Sequence, residues 1–151
     1  MNRISAAALL AISTMAALPH TAQAAPSVAL DSSVFVERVS DDGGNVVRSL
    51  ERAQALRSGD RVVTVVTWYR LGGDGAFTLT NPVPRGVYYQ GSADGSEQVS
   101  IDGGRSWGRI GELRLGNRFA TVEDVTHVRW NVPAGQVASG RGRIAYAGIV
   151  R

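Results

Sequence analysis

The chain has 151 residues, 44% hydrophobic and 19% charged, with 16 basic side chains against 13 acidic ones and a formal charge of +3. It has no cysteine, which excludes disulfides, thiol nucleophiles, thiolate-held zinc and thiol redox chemistry. Every basic side chain is arginine, scattered with no basic stripe interleaved with aromatics, a pattern that argues against a nucleic-acid interface.

The N-terminal residues read as a leader. Met1-Asn2-Arg3 is positive, Ile4 to Leu18 is apolar or small, and Ala22-Gln23-Ala24 fits an A-x-A cleavage site. The pattern predicts a helical secretory signal peptide over 1–24, cut between Ala24 and Ala25. The apolar run is short for a membrane span of about 20 residues, and no cysteine follows the cut to carry a lipid. The expected mature chain, 25–151, is one exported domain of the periplasm, cell surface or medium, long enough to bury a core. No later stretch has the length and hydrophobicity of a membrane span.

Beyond the leader the apolar period is two. Val28, Leu30, Val34 and Val36 alternate with polar neighbours and predict an opening strand to about Val39. Asp41-Asp42-Gly43-Gly44 predicts a turn, and Asn45 to Leu50 a second short strand. Ser49 to Leu56 stays open between two readings. One is a helix capped by Ser49, with Arg52 where a capping box wants Glu or Gln; the other is an extended run into Ser58-Gly59-Asp60. Arg61 to Arg70 is the strongest strand, apolar on both faces and therefore expected mid-sheet.

Leu71 to Gly75 reads as a loop, and Ala76 to Thr80 as a strand stopped by Asn81-Pro82-Val83-Pro84, since proline donates nothing to a ladder. Gly86 to Tyr89 is extended. Glu97 to Ile101 and Ser106 to Leu115 read as a hairpin, with Asp102-Gly103-Gly104 as its turn and Trp107 folding back onto the core. Thr126 to Val132 sends Val128, Trp130 and Val132 inward and His127, Arg129 and Asn131 outward. Pro133-Ala134-Gly135 turns the chain, and Gly140 to Val150 is the last strand, anchored by Ile144 and Tyr146. About seven to nine short strands with almost no helix predict an all-β fold, an immunoglobulin-like antiparallel β-sandwich.

Several pieces occur in a fixed order. Ser58-Gly59-Asp60 precedes the Val/Thr-rich strand, followed by Thr80-Asn81-Pro82-Val83-Pro84-Arg85-Gly86-Val87-Tyr88-Tyr89 and Gly91-Ser92-Ala93. Ser100-Ile101-Asp102-Gly103-Gly104 and Asp124-Val125-Thr126-His127-Val128-Arg129-Trp130 complete the set. Together, over most of the mature chain, they resemble the conserved repeat domain of bacterial surface proteins, the domain of unknown function numbered eleven. The chain departs from that family in carrying Ser58 where a proline is typical, and one copy in place of an array. The resemblance implies an immunoglobulin-like sandwich and a surface or periplasmic setting, as a free-standing exported copy; it implies no defined chemistry.

Two strings carry possible chemistry. Gly104-Arg105-Ser106-Trp107-Gly108 matches the nucleophile elbow G-x-S-x-G. An elbow needs a strand-to-helix turn over a parallel sheet, and the residues after Gly108 are strand-like. Ser100-x-Asp102-x-Gly104-x-Ser106-Trp107 resembles an Asp-box, whose residues hold a turn and catalyse nothing. One copy cannot be a propeller. Asp102, Gly103, Gly104 and Trp107 are therefore read as structural turn residues, with no catalytic, metal or cofactor-binding residue assigned. His127 has no clustered ligands for zinc. Asp74, Asp94, Asp102, Glu123 and Asp124 lie in or beside loops without a calcium-loop spacing. The adjacent pairs Trp68-Tyr69 and Tyr88-Tyr89 must each send one ring to either face.

The expected role is non-catalytic, structural or protein-interacting, in the cell envelope. An envelope partner or a second copy would pair with an edge strand at 28–36 or 144–150. A glycan-binding module using exposed aromatics is the alternative.

Overall fold

The computed structural model describes residues 26–151; the expected leader and its cut between Ala24 and Ala25 lie outside the described residues. These form strands β1 (Ser27–Asp42), β2 (Asn45–Arg52), β3 (Arg61–Gly72), β4 (Phe77–Pro82), β5 (Val87–Ser92) and β6 (Gln98–Ser100). The short β7 (Arg114–Leu115) and β8 (Arg118–Phe119) follow, then β9 (His127–Val132), a single helical turn α1 (Ala134–Val137), and β10 (Arg141–Val150).

β3, dense in β-branched side chains, takes the centre of a five-stranded antiparallel sheet ordered β2-β1-β3-β10-β5. A three-stranded sheet, β4-β9-β6, packs over it. Val36, Val62, Val66, Trp68, Tyr89 and Tyr146 of the larger sheet form one core with Leu79, Val99, Val128, Trp130 and Val132 of the smaller. Trp68 meets Phe77 edge-on with ring centres 5.4 Å apart, and Trp130 meets Tyr146 at 6.0 Å. The fold is the expected all-β sandwich, and the alternation read in β9 holds, with Val128, Trp130 and Val132 buried.

The core face of β10 contains glycine for a packing reason. Gly142 lies opposite Trp68 and Gly148 opposite Val62. A Cβ at Gly142 would fall 2.5 Å from the Trp68 ring, and one at Gly148 would fall 2.3 Å from the Val87 side chain. The large residues of neighbouring strands occupy that space.

Several expectations are corrected. Of the two readings open for Ser49 to Leu56, the helix does not form; β2 continues to Arg52, and the Ala53 N–H then donates to the Val34 carbonyl at 2.9 Å. Pro133-Ala134-Gly135 leads into the helical turn α1. Residues 144–150 are no edge, because β10 lies between β3 and β5. Residues 28–36 are an edge only in part, since β2 pairs with β1 from Phe35 onward. The return strand at 106–115 does not form. Gly108 makes one isolated bridge to Val99, Gly111 then bends the chain at φ +92°, and β7 pairs with β8 instead. No helix among the described residues is long and apolar enough to cross a membrane.

Candidate functional site

The Ser100–Trp107 loop follows directly from the end of β6. Ser100 is fully buried, and its hydroxyl donates to Asp102 Oδ1 at 2.8 Å. Ser100 Oγ itself accepts the N–H groups of Asp102 at 3.3 Å and Gly104 at 2.8 Å. Asp102 in turn accepts the N–H groups of Arg105 at 3.1 Å and Ser106 at 2.9 Å, and the Ser106 hydroxyl at 2.7 Å. Gly103 donates to Thr126 Oγ1 at 3.1 Å, tying the loop to the approach to β9. Gly103 and Gly104 have φ of +78° and +89°, the left-handed region where a side chain is strained. The Ser106 amide and hydroxyl, then the Ser100 hydroxyl, hold the Asp102 carboxyl well below the usual carboxylate range.

Trp107 closes the loop, but not onto the core. Its Nε1 donates to the Gly104 carbonyl at 2.9 Å. The indole lies over the outward residues of β9, with the His127 ring edge-on at 6.5 Å and the Arg129 guanidinium 4.4 Å from its centre. Gln98 Oε1 holds Arg129 through Nε at 2.9 Å and Nη2 at 2.8 Å. Trp107 therefore clamps the loop to the outside of the smaller sheet, correcting the inward packing expected from the sequence. The role of Arg129 was missed, although its spacing of two from His127 placed both on one face.

The elbow geometry is not formed. Ser106 Oγ donates its proton to Asp102, while His127 Nδ1 faces Thr126 Oγ1 at 3.1 Å. The serine, carboxylate and histidine thus stand in no relay order, and the residues directly after Gly108 form no helix. Apart from Asp74, the loop acids are engaged in local structure. Asp94 accepts from Ser92 and Ser96. Asp124 takes both Arg118 nitrogens at 2.6 and 2.7 Å, and that pairing, with the Thr121 amide, keeps its carboxyl well below the ordinary range. Burial pushes Glu97 up, but the Ser92 and Tyr89 hydroxyls that donate to it outweigh burial and hold it low. Burial, and then Glu97, drive the Tyr89 hydroxyl upward. Among the described residues no three His, Cys, Asp or Glu side chains are grouped to hold a metal.

The aromatic pairs divide as expected: Trp68 and Tyr89 are buried, whereas Tyr69 is 42% exposed and Tyr88 faces outward under the Arg151 guanidinium at 4.0 Å. A cleft of about 630 Å³ opens at one end of the sandwich, with Val83, Arg85, Glu123, His127 and Arg151 in its wall. The other conspicuous surface is β2, all eight of whose residues are exposed and whose outer side has no neighbour in the sheet among the described residues. The sequence did carry a signal for it. Gly43 and Gly44 adopt φ of +63° and +91°, a two-residue turn that commits the residues after it to pair back on β1. Comparison with protein-family models, curated proteins and solved structures gives no match.

Proposed function

We propose that this chain is an exported, non-catalytic immunoglobulin-like domain with a structural or protein-interaction role in the bacterial cell envelope. The observation that carries this reading is the β2 edge, regular over eight residues and exposed throughout. Unpaired strand edges are templates for another chain, and folded proteins ordinarily shield them. The leader pattern of residues 1–24 supports export, and the ordered resemblance to the bacterial surface repeat supports an envelope setting. The polar groups that invited a catalytic reading, Ser106 and Asp102, are engaged with each other and with turn amides. Glycan stacking is less well supported, because the Trp107 and Tyr88 rings each carry an arginine on one face.

The full chain, expressed with its leader, is expected to be recovered outside the cytoplasm with Ala25 at its N-terminus. Cross-linked in the intact envelope, it is expected to yield one specific partner in stoichiometric amount. Recovery in the cytoplasm with Met1 retained, or as a monomer that cross-links to nothing, would contradict the reading.

A further inference from the structure

We infer that β2 is the docking edge for an extended acidic segment of a partner protein, which adds to the larger sheet beside it. This deepens the interaction role proposed above and rests on it.

The hairpin register determines which groups are free. Asp42 pairs with Asn45 across the two-residue turn, and the pairing runs without a bulge to Phe35 and Arg52. The pair that closes such a turn exchanges both backbone hydrogen bonds, and bonded pairs then alternate with unbonded ones. Asn45, Val47, Ser49 and Glu51 therefore turn their backbone groups toward β1. Val46, Arg48, Leu50 and Arg52 turn theirs away, toward open solvent. This edge has no proline or lysine among its eight residues and no bulge in its pairing, so its remaining protection is the charge of Arg48, Glu51 and Arg52.

Side-chain chemistry identifies the occupant. Glu51 lies opposite the buried Val36 and Arg52 opposite Phe35, so the four outward-bonding residues share the solvent face. They alternate apolar and cationic: Val46, Arg48, Leu50, Arg52. Glu37 on that face is already divided between Arg48 at 2.6 Å and Arg61 at 2.7 Å, and Asp41 holds the Gly44 amide at 2.7 Å. Arg52 has no ion pair among the described residues.

A second copy fits poorly. In a two-fold antiparallel pairing centred on Arg48, Ser49 or Leu50, Arg48 stands opposite or diagonal to an arginine of the other copy, an unfavourable arrangement. An acidic strand has no such conflict. Carboxylates four residues apart would stand opposite Arg48 and Arg52, with an apolar side chain between them over Leu50.

The test uses a capped peptide, Glu-Thr-Val-Thr-Glu-Thr-Val, and its counterpart with lysine for both glutamates, titrated into the isotope-labelled 25–151 chain. The acidic peptide is expected to bind at least about tenfold more tightly, shifting the amides of Val46, Arg48, Leu50 and Arg52. Leu50→Pro removes an N–H that points away from the sheet, a place where strands tolerate proline. It should preserve the melting temperature and abolish binding, while the Arg48→Glu and Arg52→Glu pair should invert the preference between peptides.

No binding, equal binding of the two peptides, or shifts confined to β5 or β4 would overturn the inference. So would self-association that Leu50→Pro abolishes, which would make the occupant a second copy. If Leu50→Pro still cross-links to the same envelope partner, the interaction role stands and β2 is not its site.

Discussion

Gly142→Ala is expected to lower the melting temperature by on the order of 10 °C, while Gly86→Ala leaves it nearly unchanged. Both are glycine-to-alanine changes at negative or unstrained φ, and only their surroundings differ. A Cβ at Gly142 meets the Trp68 ring at 2.5 Å, whereas one at Gly86 meets nothing within 4 Å. Trp68 is 1% exposed, rigid, and pinned from the facing sheet by Phe77, so it has little room to give way. Overpacking of this kind costs about 1–3 kcal/mol, and about 3 kcal/mol is on the order of 10 °C for a domain of this size. Trp68→Ala should cost more, about 3–5 kcal/mol, by leaving a cavity.

The pair should also be coupled. Trp68→Phe vacates part of the space the new methyl needs, so the double variant should lose less than the sum of the singles. Thermal melts check this, and equal melting temperatures for Gly142→Ala and Gly86→Ala would refute it.

The loop from Ser100 to Trp107 should respond in a definite order. Gly103→Val places a β-branched residue at φ +78° and is expected to cost about 2 kcal/mol. Ser106→Ala removes one exposed hydroxyl, leaves the Arg105 and Ser106 amides on Asp102, and should cost about 0.5 kcal/mol. Acid should loosen the same loop. The Asp102 carboxyl titrates below its unfolded value, so its contribution is complete above the ordinary carboxylate range, near ~4, and fades as pH falls through the folded value. The indole N–H resonance of Trp107 reports both effects. A costlier Ser106→Ala than Gly103→Val would contradict the expected order, and a loop indifferent to acid would show that the hydrogen bonds of Asp102 do not hold it.

Much of the sandwich was legible because its signals are local. The β-branched run of β3 and the strict alternation of β9 declare their faces in a few residues. What escaped depended on contacts distant in sequence or on backbone that departs from extension. The return strand after Trp107 looked extended by composition, but Gly111 at φ +92° leaves the ladder. Trp107 was read as a core residue because large aromatics usually are. Its actual neighbours, His127 and Arg129, are the outward half of an alternation that the sequence did reveal. β2 offered no periodicity because neither of its faces is buried; only its turn marked it. The turn at Asp102, Gly103 and Gly104 was legible from residue type, whereas the placement of Trp107 and the free edge required the sheet order.

Amide hydrogen exchange across β2 tests that free edge most directly. On a regular hairpin with nothing beside it, the amides of Val47, Ser49 and Glu51 should exchange slowly. Those of Val46, Arg48, Leu50 and Arg52 should exchange nearly as fast as in an unstructured peptide. Slow exchange at all of these positions would mean that the edge is already covered, and fast exchange at all of them that the strand is not formed; either would contradict a docking edge at β2.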